Sequence, residues 1–292
     1  MKKLILLAII ALSFTVQAGN LETGLEYIEN RNYEQAEQYL LKAIQEENKK
    51  ERKANAYNHL GVIYLLQNKY DKAEQMLLNA IENGDTIAYN NLGALYDRQG
   101  KYDKAEQIYL KAIQNGHKGA YNNLGLVYRN QKKYAKAEQI YLKAIQNGDV
   151  KAYYNLGLVY DDQEKYDKAE QMFLKAIENG DTSAYNNLGA IYFNQGKFDK
   201  AEPMFLKALQ NGDKDAYNNL GAIYLNQGKF DKAESMFLKA LQNGDTEAYY
   251  NLGFLYYNQK RYVNAKRYFK TAVEKGIEEA KEYYYKLISE GY

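Results

Sequence analysis

The chain has 292 residues, of which 46% are hydrophobic and 26% charged, enough apolar side chain to bury a sizeable core and to exclude a disordered polymer. Lysine and arginine total 39 against 37 acidic residues, and Lys2 and Lys3 lie in the N-terminal segment, so the remainder is evenly balanced and no net field draws nucleic acid or anionic lipid. The absence of cysteine excludes disulfides, thiol catalysis and cysteine-bound metal.

Residues 1–18 read as a secretory signal peptide. Lys2 and Lys3 precede an apolar run from Leu4 to Val16, and Val16-Gln17-Ala18 offers a small-residue cleavage site. That run is about 13 residues long, short of the roughly 20 that a membrane-spanning helix needs. The sequence therefore predicts cleavage after Ala18 and a mature chain, 19–292, that is periplasmic or secreted, with no stable membrane insertion.

From there on the chain repeats itself. A Leu-Gly pair recurs with its glycine at Gly61, Gly93, Gly125, Gly157, Gly189, Gly221 and Gly253, every 32 residues. Alanines keep the same period from Ala73 to Ala265 and from Ala80 to Ala272. A fixed period of this size means stacked units, none of which can bury its own face alone. Within residues 85–116 the apolar positions fall at helical spacing in two runs. Asp85 is the expected N-cap of the first helix, and the second is expected to start near Asp103, with Glu106 completing a capping box. Gly116, recurring as Gly84, Gly148, Gly180, Gly212 and Gly244, is placed for a left-handed helix end. The repeats fall at approximately 20–52, 53–84, 85–116, 117–148, 149–180, 181–212, 213–244 and 245–276, with a capping helix at 277–292 in which Tyr285 stands where a glycine would be. Gly24 precedes Gly61 by 37 residues, and the extra charged stretch, Gln45 to Arg52, is expected to lengthen the second helix of the first repeat.

The unit resembles a tetratricopeptide (TPR) repeat, whose pattern is W-x2-L-G-x2-Y followed by A-x3-F and a later alanine. Tyr89 stands for the tryptophan, and Leu92, Gly93, Tyr96, Ala105, Tyr109 and Ala112 match the rest in order; the match recurs from Tyr57 through Ala272. The period is 32 rather than about 34, and the proline between repeats is missing. The short Asn-Gly-Asp linker is similar to that of Sel1-like repeats, without the longer turn those units carry between their own helices. The resemblance implies an all-α, right-handed superhelix of eight helix pairs plus a C-terminal capping helix.

Helical periodicity gathers Ala88, Tyr89, Leu92, Leu95 and Tyr96 on one face of the first helix, with Gly93 at its edge, and that face is expected to be buried. In the TPR family the opposite face lines a concave groove that holds partner peptides. Here that face carries an asparagine row: Asn91, Asn123, Asn155, Asn187, Asn219 and Asn251, with His59 in its place in repeat two. Such amides could pair with the backbone of an extended peptide, as the asparagine ladders of some TPR superhelices do, or simply meet water. Around the row the face varies. It is apolar at Val62, Leu65 and Leu66, charged at Asp97, Arg98, Arg129, Asp161 and Asp162, then apolar and aromatic at Tyr154, Phe193, Leu225, Tyr250, Phe254 and Tyr257. The clamp for acidic chaperone tails needs lysine and asparagine where Asn90 and Ala94 stand, so that specificity is set aside.

The chain offers little for catalysis. His59 and His117 lie almost two repeats apart, serine occurs only at Ser13, Ser183, Ser235 and Ser289, and the glycines form no phosphate-binding loop. The expectation is a non-enzymatic chain without cofactor or metal: an exported adaptor, monomeric when free, that binds extended segments of other proteins. The alternative is a structural, self-assembling envelope protein with no peptide ligand.

Overall fold

The computed structural model describes residues 19–292; the signal-peptide reading of 1–18 lies outside them. Among the described residues there are seventeen α-helices and no strand, in two compact units that meet in sequence at Asp149. The first unit holds α1 (Asn20–Glu29), α2 (Tyr33–Glu46), α3 (Lys50–Leu66), α4 (Tyr70–Glu82), α5 (Ala88–Arg98), α6 (Tyr102–Gln114), α7 (Gly119–Asn130) and α8 (Tyr134–Gln146). The second holds α9 (Lys151–Asp161), α10 (Tyr166–Glu178), α11 (Ala184–Asn194), α12 (Phe198–Gln210), α13 (Ala216–Asn226), α14 (Phe230–Gln242), α15 (Ala248–Asn258), α16 (Tyr262–Glu274) and the lone α17 (Glu279–Ser289). Within each unit consecutive helices pair, and each pair packs on the next. The expected eight pairs and cap are present. No helix among the described residues is long and apolar enough to cross a membrane.

The sequence forces the pairing through size. In the pair α5–α6, Ala88, Leu92, Leu95, Ala105 and Ala112 have no exposed surface, and Tyr109 is almost as deeply buried. A Cβ built on Gly93 would lie 2.6 Å from the Tyr109 ring, so this position has room for a hydrogen only. The residue seated on the corresponding glycine is Leu40 or Leu77 in the first two repeats, Tyr109 or Tyr141 in the next two, and Phe173, Phe205, Phe237 or Phe269 thereafter. In α17 Tyr285 takes the place of that glycine and stands 60% exposed.

The linker explains why no proline is needed between repeats. Gly84 adopts φ 97°, its N–H donates to the Ile81 carbonyl at 2.9 Å, and the Asp85 N–H reaches back to the Ala80 carbonyl at 2.9 Å. This left-handed closure satisfies the last carbonyls and stops the helix. The Asp85 carboxylate then accepts from the Ile87 N–H at 2.8 Å. Asp85 therefore caps a turn rather than the helix: α5 begins at Ala88, with Ile87 at its N-cap and no side-chain cap.

The charged insertion falls elsewhere than expected. α2 has 14 residues, against 13 in each later second helix, whereas α3 has 17 against 11 or 12 in the later first helices. The added residues extend the first helix of repeat two. Glu47 ends α2 in an extended conformation, its carboxylate accepting from the Lys49 N–H at 3.0 Å, and Arg52 in the new first turns of α3 ion-pairs with both Glu47 and Glu22.

Gly93→Leu should destabilise the chain by about 1–3 kcal/mol through overpacking. Chemical denaturation followed by circular dichroism measures it; an unchanged midpoint would mean the Tyr109 ring yields freely.

Candidate functional site

The asparagine row is largely spent inside the protein. Asn91 donates through Nδ2 to Asn58 Oδ1 at 2.7 Å, and Asn123, Asn219 and Asn251 donate likewise to Asn90, Asn186 and Asn218 of the preceding repeat at 2.9, 2.9 and 3.2 Å. Asn58 in turn donates to Asp85 of the following linker at 2.8 Å, with Asn122 to Asp149 and Asn218 to Asp245 in the same relation. Asn187 accepts from the Tyr154 hydroxyl at 3.2 Å, and Asn155 lies half-buried on α9. These amides join the first helices of successive repeats within a unit and hold each linker aspartate. His59, which replaces one of them, is half-buried, and burial lowers its pKa against the opposing pull of Asp85.

The C-terminal aromatics of the candidate set are partly roofed by the last helix. The Tyr250, Phe254 and Tyr257 rings surround Tyr283 of α17 at 6.1, 5.7 and 5.6 Å, and Lys286 Nζ donates to the Tyr257 hydroxyl at 2.9 Å. Tyr154 packs on Phe173. Phe193 and Leu225 are only half-buried on α11 and α13.

A second row, absent from the sequence expectations, lies beside them. Phe193 meets Phe198, the first residue of α12, at 5.4 Å, and Tyr257 meets Tyr262, the first residue of α16, at 5.5 Å. Phe230 opens α14 five positions after Leu225, the same separation. The second unit thus carries a half-buried strip along its helix-to-helix turns: Phe193 with Phe198, Leu225 with Phe230, Tyr257 with Tyr262. The signal was a ring every 32 residues directly after the turn, from Tyr70 through Tyr262, which core packing alone does not require. An open groove of about 450 Å³ lies on this edge between Glu164–Lys168 and Gln195, whose buried Oε1 has no partner. In the first unit the residues five before Tyr70, Tyr102 and Tyr134 are Leu65, Asp97 and Arg129, so the equivalent edge is mixed and polar. Burial raises the Asp97 carboxyl pKa there, and the neighbouring Arg98 donates to the Leu65 carbonyl at 3.3 Å.

Another face of each unit is tied by tyrosine–glutamate bonds between repeats. Tyr96 donates to Glu74 at 2.7 Å, Tyr192 to Glu170 at 2.7 Å and Tyr224 to Glu202 at 3.0 Å, with Lys104, Lys200 and Lys232 over the respective rings. Glu106 belongs to this set and not to a capping box. Burial acts to raise its pKa, but hydrogen bonds from Tyr128 and Lys136 outweigh it and hold the carboxyl low, while α6 starts without a side-chain cap. Burial, reinforced by the glutamate bonds, pushes the phenols of Tyr96, Tyr192 and Tyr224 up to about 12. A phenol that stays protonated longer in the folded chain stabilises it fully below about pH 10 and loses that contribution as pH rises through its folded value. Cooperative unfolding should therefore set in between about pH 10 and 12, read by circular dichroism together with tyrosinate absorbance. Ionisation of every tyrosine near pH 10 with the helices intact would contradict these bonds.

Among the described residues no cluster of three or more histidine, aspartate or glutamate side chains is placed to hold a metal ion. Family models described as tetratricopeptide repeat match residues 21–86, 86–115, 119–182, 180–244 and 246–275. No curated protein matches the chain. Solved structures do. The c5321 protective antigen of uropathogenic Escherichia coli, which displays an SLR fold, is similar at TM-score 0.66 and 25% identity over 93% of this chain, which spans 64% of that protein's length. A tetratricopeptide repeat protein from Parabacteroides merdae aligns at TM-score 0.59 and 23% identity over 87% of this chain and 97% of its own. A Sel1 repeat protein from Oxalobacter formigenes aligns at TM-score 0.50 and 28% identity over 71% of this chain and 89% of its own. Matching models run almost unbroken from residue 21 to residue 275, across helix pairs of the same architecture, and the chain belongs to the tetratricopeptide repeat family.

Proposed function

We propose that the chain is an exported scaffold that holds an extended segment of a partner protein along the exposed face of its first helices. Tetratricopeptide and Sel1-like folds commonly mediate protein–protein interaction. The carrying observation is the contrast between two kinds of position on that face. The repeated ones, such as Asn91 and Asn219, bond to neighbouring repeats. The variable ones leave apolar surface in reach of solvent: Leu66 is 52% and Leu126 43% exposed in the first unit, with Phe193 and Leu225 half-buried in the second. Apolar surface rimmed by amides is the usual mark of a partner site, and partner choice resides in what varies. Export rests on the run from Leu4 to Val16, and the description of the SLR-fold neighbour as a protective antigen fits a location outside the cytoplasm. The scaffold reading assigns the chain no catalytic step.

Protein purified from its own host should begin at Gly19. Partners it captures should bind a Phe193→Ala/Leu225→Ala variant at least about 30-fold more weakly, the penalty of a true hot spot, while its circular dichroism is unchanged. Equal affinity of the folded variant would remove the first-helix face as the binding surface.

A further inference from the structure

We infer that Asn115-Gly116, between the third and fourth repeats, is a spontaneous modification site, where the folded chain deamidates through a cyclic imide ahead of its other Asn-Gly pairs. The inference is independent of the choice of partner and rests on how each linker is held.

Asn-Gly occurs six times, at Asn83, Asn115, Asn147, Asn179, Asn211 and Asn243, each pair directly after a second helix. Glycine has no side chain to shield its nitrogen, which makes these the most reactive amides of the chain. In the reaction the Gly116 nitrogen attacks Asn115 Cγ. The N–Cγ bond forms as the Cγ–Nδ2 bond breaks, the displaced amide leaves with the glycine proton as ammonia, and water then opens the ring to aspartate or isoaspartate.

The folded linker opposes each part of that step. All six asparagines hold ψ between 4° and 12°, which turns the glycine nitrogen away from the side chain it must attack. Each Nδ2 donates to the carbonyl four residues back, at 2.7 or 2.8 Å. Each glycine N–H donates to the carbonyl three residues before it, at 2.9 or 3.0 Å. Ring closure therefore waits for the linker to open locally.

The linkers differ in what resists opening. An aspartate follows the other five pairs. Asp85, Asp181, Asp213 and Asp245 each accept the N–H two residues on, at 2.8 to 3.2 Å, and first-helix asparagines hold Asp85, Asp149 and Asp245. After Gly116 stands His117 instead, and its Nε2 meets Thr86 Oγ1 of the preceding linker at 2.8 Å. The residue whose N–H a carboxylate would have held is Gly119. Its φ is not positive and a Cβ there would meet nothing, so it adds only backbone freedom where Ile87 or Ser183 stands in other repeats. The Asn115 N–H donates to the Lys111 carbonyl alone, whereas the other five asparagines each donate to two carbonyls. Asn115 and Gly116 are both exposed, so water reaches the ring once it forms.

Isoaspartate lengthens the backbone by one atom inside the closure made by the Gly116 bond to Ile113 and the His117 bond to Ala112. Either product also places a carboxylate at the negative end of α6 and removes the Nδ2 donor from the Lys111 carbonyl. Modification thus loosens the third repeat from the fourth.

The mature chain is incubated in warm neutral buffer, folded and in parallel in concentrated urea, and peptide mapping resolves asparagine, aspartate and isoaspartate at each site. Dividing the folded rate by the urea rate at the same site cancels the intrinsic effect of neighbouring residues. At Asn115 this ratio should exceed that at each other pair by at least about tenfold, the effect of one or two lost hydrogen bonds on opening. His117→Asp should bring it down to their range. The fraction modified at Asn115 should melt at a lower temperature than unmodified protein. A ratio at Asn115 no higher than the others, or unchanged by His117→Asp, overturns the site, and an unchanged melting temperature overturns its consequence for the stack.

Discussion

A second-helix ring rests on the bare backbone of the first helix in the third to eighth pairs, where an added Cβ would intrude to between 2.5 and 2.7 Å. Close-packed interiors leave no slack for such an atom, so this contact sets the separation within the pair. The rest follows from it. Helices this near can face each other only with small residues around the ring, hence the buried alanines flanking Tyr109 and its counterparts. A two-helix unit built so tightly buries one face and leaves the others open, and stacking on a neighbour covers them. Stacking then needs polar fasteners that fix one repeat against the next. The asparagine–aspartate and tyrosine–glutamate bonds supply them.

That division of labour sorts the residues. Positions that repeat hold the stack together, whereas those that vary are left to select a partner. The first unit offers exposed aliphatic residues beside Asp97 and Arg98, and the second offers rings and a leucine among uncharged amides, so the two units present different chemistry on one framework. At the C-terminus Tyr283 inserts among Tyr250, Phe254 and Tyr257 and covers part of the most aromatic stretch, which leaves Phe193 and Leu225 as the more accessible apolar positions.

The helices were legible in the sequence because alanine, leucine and glycine recur at helical spacing inside a fixed period, and two periodicities reinforce each other. The polar residues were not. Asp85 and Glu106 have the spacing of local caps, but Asp85, besides its local bond from the Ile87 N–H, accepts from Asn58, 27 residues earlier, and Glu106 accepts from Tyr128 on the first helix of the next repeat. A long-range bond between partly buried groups competes with a solvent-exposed cap, and no local pattern announces it. The asparagine row misled in the same way, for its amides look free until the neighbouring first helix is beside them. The insertion Gln45 to Arg52 carries no apolar period, so nothing in it assigned the extra turn to one helix or the other. Glu47, bonded to the Lys49 N–H and paired with Arg52, settles that locally. The ring row through Phe198 and Phe230 escaped because tyrosines and phenylalanines were already accounted for by the core.

The seating of ring on glycine is tested most directly by a double-mutant cycle at Gly157 and Phe173. Gly157→Ala and Phe173→Leu are measured singly and together by urea denaturation. The account predicts strong coupling: the added methyl should cost about 1 kcal/mol less when leucine, a smaller and more yielding neighbour, replaces the ring. Additive costs would show that the glycine and the ring do not set each other's position, and the account of how the pairs are spaced would fail.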